Sequence, residues 1–169
     1  VQIGEDIEVN TANESYVLWN WMMETTGSGS SNEDGSINTT ATLVDTTLGL
    51  SISKYTGTGA NATVGHGLGA VPKMMLIKNL GNTGDSWAVY YSDNTDYLVL
   101  NTDAATVDDN TMWNDTTPTS SVFSVGSNHQ VNASSETYIA YCFANSQFIS
   151  IGTYEGNGNA DGTFVPTLN

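Results

Sequence analysis

The sequence has very little positive charge. Of its 169 residues only three are lysine or arginine, against 18 aspartates and glutamates, and the net charge is −15. Such a chain has almost nothing with which to neutralise phosphates. Nucleic acid and anionic membrane surfaces are therefore not expected as partners.

Cysteine and long apolar runs are also scarce. The single cysteine, Cys142, excludes an internal disulfide framework and a cysteine-based zinc site. No run approaches the ~18 apolar residues of a membrane-spanning helix, and the first ten residues lack the basic and apolar parts of a signal peptide. Membrane insertion is not expected. Because the numbering starts at Val1 without a methionine, we expect a processed or excised piece of a longer chain.

The sequence does contain short apolar runs separated by Gly, Asn, Ser, Thr and Asp, which is the pattern of an all-β domain. The clearest predicted strands are residues 16–22, 49–55, 73–80, 86–91, 97–101, 121–125, 137–144 and 148–154. Residues 25–34 (TTGSGSSNED) predict a mobile loop. The predicted fold is an antiparallel β-sandwich of the jelly-roll, lectin-like type, with a β-barrel as the alternative. It would form one domain, residues 15–169, after an acidic N-terminal segment, residues 1–14.

An internal repeat appears when the sequence is aligned with itself. The segment YVLWNW at residues 16–21 matches YIAYCF at 138–143 in its aromatic and aliphatic positions. The segment LSISKYTGTG at 50–59 matches ISIGTYEGNG at 149–158. Because both blocks occur in the same order, residues 16–59 and 138–158 are interpreted as two copies of one strand unit, as in tandem β modules of fibrous or surface proteins.

A resemblance to a known family lies in YTGTGANATVGHGLGAVPKMMLIKN at residues 55–79, SWAVYYS at 86–92, YLVLNT at 97–102, MWNDTTPTSSVFSVGS at 112–127 and VNASSETYIAYCFA at 131–144. Residues 16–164 resemble an uncharacterised repeat domain found in virion structural proteins of tailed, often marine, bacteriophages. The resemblance implies a tail fibre or other external appendage, commonly trimeric, whose partners are other virion proteins and copies of itself. It carries over no catalytic residues.

Catalytic sites are weakly indicated by the sequence. His66 lies in GHGLG, which favours a tight turn in which the imidazole hydrogen-bonds locally. No Gly-x-Ser-x-Gly elbow is present to hold a hydrolase nucleophile. Carboxylate pairs of the kind that a glycosidase needs, such as Asp93 with Asp96, lie in turn-forming loops. We therefore predict that the protein is not an enzyme.

The sequence indicates ligand binding more strongly than catalysis. Trp113, in the polar stretch MWNDTTP, is the tryptophan expected to be exposed, and with Tyr91 and the loop side chains of Asn114 and Asp115 it is the predicted contact for a glycan. Loop carboxylates also suit calcium, which accepts about six to eight oxygen ligands. The predicted calcium ligands are Asp103, Asp108 and Asp109, with a second set at Asn157, Asn159 and Asp161.

Two functional hypotheses follow. In the first, the domain helps an external phage appendage to attach to the host surface by binding glycan through its loops. In the second, it is an architectural capsid-decoration or fibre-shaft protein that binds only other virion subunits. An exposed Trp113 beside polar loops would favour the first, and aromatic residues hidden in subunit contacts would favour the second. Both hypotheses place the chain in the virion, an extracellular particle.

Overall fold

The computed structural model of the protein describes residues 7–18, 20–23 and 26–165. In these ranges most of the regular elements are strands, and the helices are short. The elements are α1 (Ile7–Asn10), β1 (Thr26–Ser30), β2 (Ala41–Asp45), β3 (Leu50–Thr56), β4 (Ala62–Gly65), β5 (Met74–Asn79), β6 (Ala88–Tyr90), β7 (Asp96–Val99), β8 (Val107–Asp108), α2 (Asn110–Trp113), β9 (Val122–Val125), α3 (His129–Asn132) and β10 (Thr137–Phe143).

The strands form one large sheet and one small one. The large sheet has eight strands in the order β1-β2-β3-β10-β5-β6-β7-β8, and β4 pairs with β9 in the small sheet. All of these strand pairs are antiparallel. The last of the described strands, β10, therefore joins two meanders by pairing with β3 on one side and β5 on the other.

Small side chains line the middle of one face of the large sheet, which we call the inner face. Ser51 and Ser53 on β3 lie beside Cys142 and Ala140 on β10, and all four are buried. Because these side chains are short, the small sheet can approach closely: the Ser53 hydroxyl donates to the carbonyl of Gly65 in β4 at 3.1 Å. The small sheet completes the core with Val64, Phe123 and Val125.

Two tyrosines tie α3 to the inner face. The rings of Tyr55 on β3 and Tyr138 on β10 stack with centroids 5.2 Å apart. The Tyr55 hydroxyl donates to the carbonyl of Val131 at 2.6 Å, and the Tyr138 hydroxyl donates to that of His129 at 2.6 Å. Each buried hydroxyl is thus satisfied by the backbone of α3, which orients this helix on the sheet.

The all-β prediction is confirmed. Six predicted strands correspond to β3, β5, β6, β7, β9 and β10, with ends that differ by a few residues. The jelly-roll arrangement is not confirmed, because the strands do not divide between two sheets of similar size: eight lie in one sheet and two in the other.

Three local predictions are wrong. The described residues of 16–22 and 148–154 form no strand, although their composition favours one. Residues 26–30, inside the predicted mobile loop, form β1, which pairs with β2 in the register Thr26↔Val44 and Ser30↔Thr42. Strand β1 forms because β2 presents an edge to its backbone, and the sequence TGSGS gives no signal of this.

We expect Gly126→Ala to destabilise the fold. A Cβ on Gly126 would collide with the backbone carbonyl of Thr111 in α2, and backbone cannot move aside as a side-chain end can. Overpacking of this kind lowers the free energy of unfolding by about 1–3 kcal/mol. Urea denaturation measures the loss. Gly156→Ala, where a Cβ would meet no atom within 4 Å, is the matched control and should change little; equal effects of both substitutions would contradict the prediction.

Candidate functional site

The face of the large sheet opposite the core, which we call the outer face, carries an apolar row that crosses six strands. Its members are in register from one strand to the next: Leu43, Ile52, Tyr141, Leu76, Val89 and Leu98. All are half-buried except Val89, which is buried. Among the described elements, the small sheet, α2 and α3 all pack on the inner side, so the outer row is shielded mainly by its own neighbours.

Aromatic rings and two lysines surround this row. Trp87 packs on Tyr141 with ring centroids 6.1 Å apart, and Trp21 meets the edge of Phe143 at 6.3 Å. Lys54 and Lys78 lie on either side of Ile139 in the next row of the same face. Two of the three cations of a chain with net charge −15 therefore sit on this face.

The predicted exposure of Trp113 is wrong. Its side chain is only 1% exposed, at the end of α2, where its ring packs edge-on against Tyr90 with centroids 5.7 Å apart. The indole nitrogen donates to the carbonyl of Asp96 at 3.0 Å. The polar neighbours in MWNDTTP misled the prediction because a single helical turn points the tryptophan inward while its neighbours point out. A buried indole offers no face for a sugar ring.

The other predicted glycan residues are dispersed around Trp113. Asn114 and Asp115 are exposed and adopt left-handed backbone conformations, at φ of 52° and 45°, where α2 ends. Asn114 accepts a hydrogen bond from the Asn61 side chain, and the Asp115 carbonyl accepts one from Asn94. Tyr91 is half-buried. Desolvation, with Asp96 and Asp93 nearby, raises the pKa of its hydroxyl. Asn114 and Asp115 therefore stabilise the turn at the end of α2.

The predicted calcium ligands are not assembled into a cluster. Asp103 and Asp108 are exposed, whereas Asp109 caps α2 by accepting from the backbone and hydroxyl of Thr111 at 2.8 and 2.6 Å, and from Asn128 at 3.0 Å. Burial opposes ionisation of Asp109, but these hydrogen bonds outweigh it and lower its pKa. Across residues 7–18, 20–23 and 26–165, no group of three or more His, Cys, Asp and Glu is placed to hold a metal ion.

The second calcium set also serves a turn. The Asn157 side chain accepts from the backbone of Asn159 at 2.9 Å and donates to the carbonyl of Gly162 at 2.6 Å. These bonds close the loop of residues 157–162 on itself. Asp93, one of the two carboxylates considered for a glycosidase, also accepts hydrogen bonds within its own turn. The backbone and hydroxyl of Thr95 donate to its carboxyl and lower its pKa.

The interpretation of His66 as a turn residue is confirmed. The ring is fully buried, accepts from the Leu68 backbone through Nδ1 at 3.2 Å and faces the Thr119 carbonyl through Nε2 at 3.2 Å. The two contacts require a proton on Nε2 and none on Nδ1, which is the neutral imidazole. Burial lowers the pKa of His66, in agreement with this geometry.

A polar cluster at the start of the β5–β6 connection has no counterpart in the sequence analysis. Buried Asn79 donates to Asp85 at 2.9 Å, and the nearly buried Asp85 carboxylate also pairs with Nδ1 of the exposed His129 at 3.2 Å. Among the described residues, no hydroxyl or thiol hydrogen-bonds to the His129 ring. The cluster therefore holds α3 against β5, and only the fold brings its members together.

Large apolar side chains are exposed in two further segments, next to opposite ends of the chain. Val17 is 84% exposed, Leu18 64% and Met22 94%, and near the other end Phe148 is 66% and Tyr154 70% exposed. The second segment begins at an open cleft of about 290 Å³ lined by Asn145, Ser146, Ile149 and Ser150. In the part of the chain that the structure describes, no helix is long and apolar enough to cross a membrane.

The sequence matches, over residues 1–168, the family described as a domain of unknown function (DUF7483), and the chain belongs to that family. No curated protein matches the chain, and no solved structure does.

We expect His66 to make the fold sensitive to mild acid. Because burial lowers its pKa below the ordinary 6.5, the unfolded chain binds a proton more readily than the folded one. The stability that this provides is complete above pH 6.5 and is lost below it, by at most about 1.4 kcal/mol per pH unit. Urea unfolding of the parent chain and of His66→Gln at a series of pH values measures the slope.

The variant should show a shallower loss of stability on acidification than the parent chain. His129→Gln serves as a control, because His129 is exposed and should leave most of the slope in place. Parallel curves for the parent chain and His66→Gln would contradict the assignment.

Proposed function

We propose that this member of the DUF7483 family is a structural protein of a bacteriophage virion, a module of a tail fibre or other external appendage that works by binding other subunits and not by catalysis. The resemblance of residues 16–164 to phage virion domains supports the setting. The outer face of the large sheet supports the mode of action, and it is the observation on which the proposal rests.

The outer face has the character of a subunit interface. Six apolar residues from six strands form a continuous row there, with Trp87 and Phe143 beside it. Five of the six residues are half-buried, and a contiguous apolar row at a surface commonly marks a protein interaction site. Its rim carries Lys54 and Lys78, which suit an acidic partner, and every copy of this chain is strongly acidic.

Attachment to a host glycan is the second candidate, and the Trp87–Tyr141 pair favours it. The two half-buried rings are inclined to each other by 40°, and aromatic faces of this kind are surfaces on which sugar rings rest. In this version the lectin-like character expected from the sequence would belong to the outer face and not to the loop around Trp113. The same face serves both candidates, so experiments decide between them.

We expect Leu76→Ser to weaken self-association of the chain. Leu76 lies at the centre of the outer row, on β5 between β10 and β6. Truncation of a central apolar contact weakens an interface by about tenfold or more. Light scattering coupled to size-exclusion chromatography over a range of concentrations measures the change.

Val107→Ser is the control, because Val107 is 45% exposed on β8 and its strand partner Tyr97 packs against the core. Equal self-association of parent chain and Leu76→Ser would show that the outer face is not the interface. Binding of a glycan by the parent chain, and loss of that binding in Trp87→Ala, would favour attachment to a host glycan instead.

Salt is expected to favour assembly. A net charge of −15 on each copy makes approach of two copies unfavourable, and added salt shortens the range of that repulsion to about 8 Å at physiological ionic strength. Sedimentation at rising sodium chloride concentrations, with and without EDTA, measures the effect. A response to calcium beyond that of equal ionic strength would revive a specific calcium site, and indifference to salt would contradict this account of assembly.

The proposed location in the virion can be tested on purified phage particles. Mass spectrometry of purified virions from the source phage, with immunogold labelling of intact particles, should find the chain in several copies on an external appendage. Its absence from particles would overturn the proposed function.

A further inference from the structure

The three lysines of this acidic chain have no carboxylate partner among the described residues. In that part of the chain the one ion pair joins Asp85 to His129, and Lys54, Lys73 and Lys78 contact no Asp or Glu side chain. Lys54 and Lys73 are exposed, and the ammonium of half-buried Lys78 donates to the backbone carbonyl of Asp85. Although the chain has 18 carboxylates, its lysines keep their positive charge available to another molecule.

Two of these lysines lie together on the outer face. Ile139 of β10 is opposite Lys54 of β3 on one side and opposite Lys78 of β5 on the other. Because neighbouring strands are about 4.8 Å apart, the two lysine backbones are about 10 Å apart. We call Lys54, Ile139 and Lys78 the lysine strip. It lies next to the apolar row, where Trp87 packs on Tyr141. Two positive charges beside apolar surface suit a ligand with acidic and aromatic groups.

Residues 145–165, which we call the distal segment, have this composition. Three of their aromatic side chains are open to solvent: Phe148 is 66% exposed, Tyr154 70% and Phe164 88%. The segment also contains Glu155 and Asp161 but no lysine or arginine. Since Tyr154 directly precedes Glu155, an aromatic ring and a carboxylate are adjacent in the sequence. The distal segment is therefore the chemical complement of the lysine strip.

The distal segment is attached to the sheet only at its start. The Ser146 hydroxyl donates to the carbonyl of Leu48 at 2.7 Å. Beyond this anchor, the hydrogen bonds that the segment makes with described residues stay within it, as where the Thr163 hydroxyl donates to the Glu155 carbonyl at 2.6 Å. The carboxylates of Glu155 and Asp161 have no hydrogen-bond or ion-pair partner in the described part of the chain. They are free to bind a cation of another molecule.

We propose that the distal segment of one copy of the protein docks on the lysine strip of a second copy. Its carboxylates pair with Lys54 and Lys78, and its aromatic side chains cover the neighbouring apolar row. This inference rests on the proposed function, assembly through the outer face, and names the segment that occupies this face. Other acidic loops lack the combination, because hydrogen bonds within their own turns occupy the carboxylates of Asp93 and Asp109.

The occupant is a second copy because one chain leads its distal segment away from its own strip. Strand β10 runs from the strip towards Phe143, so the segment leaves the sheet about 13 Å beyond Ile139. At that end the ring of Trp21 lies against Phe143, with centroids 6.3 Å apart, and Ser146 is tied to Leu48 in the β2–β3 turn. The exposed aromatic rings of the segment are not packed on the face of their own chain.

Docking of this kind is head to tail. Each copy offers one strip and one distal segment, so the contact is heterologous, and it closes into a ring or extends as a fibre according to the rotation between copies. A ring of three copies gives the trimer expected from the phage resemblance. Salt shortens the long-range repulsion between acidic copies, whereas partly buried ion pairs are screened much less, so this contact agrees with assembly that salt favours.

The test is an exchange of charge between strip and segment in the full chain. Lys54→Glu with Lys78→Glu makes the strip acidic, and Glu155→Lys with Asp161→Lys makes the segment basic. Either pair of substitutions alone should weaken self-association about tenfold or more, because like charges then meet across the contact. All four together restore opposite charges and the parent net charge of −15, so self-association should return. Sedimentation velocity at one fixed salt concentration measures each variant.

A mixture of the strip variant and the segment variant tests the pairing directly. In the mixture each acidic strip meets a basic segment and each basic strip an acidic one, so the two chains should assemble together although neither does so alone. Lys73→Glu is the matched control for Lys54→Glu, because it makes the same change of charge at an exposed lysine outside the strip. Circular dichroism of each variant confirms that the fold is intact.

Equal weakening by Lys73→Glu and Lys54→Glu would show that net charge alone matters and would overturn the inference. Loss of assembly in the strip variant but not in the segment variant would assign the strip to another acidic ligand, and would also overturn it. Assembly that Leu76→Ser weakens and no exchange of charge affects would overturn this inference and leave assembly through the outer face standing. A parent chain that is monomeric at all concentrations and salt levels would overturn both.

Discussion

The position of β10 between β3 and β5 is the constraint on which the rest of the structure depends. This strand follows all the other described strands in sequence, yet its residues Tyr138–Phe143 pair with both neighbours at once. Without it, the two meanders would be separate sheets with open edges. The return of β10 to a place between β3 and β5 closes long loops, which costs conformational entropy. Burial of Ser53, Ala140 and Ile77 on the inner face offsets this cost, because this row lets the small sheet pack closely.

The central place of β10 also produces the outer face. A strand flanked on both sides needs β-forming residues along its whole length, so Ile139, Tyr141 and Phe143 are apolar although they point away from the core. The same demand on β5 and β6 extends the row through Leu76 and Val89. Among the described elements, the small sheet covers one side of the eight-stranded sheet, and the other side carries a row of half-buried apolar residues with lysines beside it.

Sequence pattern predicted the strands whose side chains are apolar and failed where tertiary context decides. Strands β3, β5 and β10 have strong β-forming composition and appear as expected, whereas β1 has none and forms because β2 offers it an edge. Trp113 is buried against the cue of its polar neighbours, since one turn of α2 rotates it inward. The contacts of Asp85 with Asn79 and with His129 include a pair that is distant in sequence, and no local pattern signals them.

The most informative failure is the pair of predicted strands that the chain does not form. Residues 16–21 and 138–143 have nearly the same pattern of aromatic and aliphatic side chains, yet the described residues of the first form no strand, whereas the second lies in β10. Composition is therefore not what separates them. Residues 138–143 form a strand because β3 and β5 pair with them on both sides. Both neighbours lie far away in the sequence, so the tertiary context decides whether a β-forming segment becomes a strand.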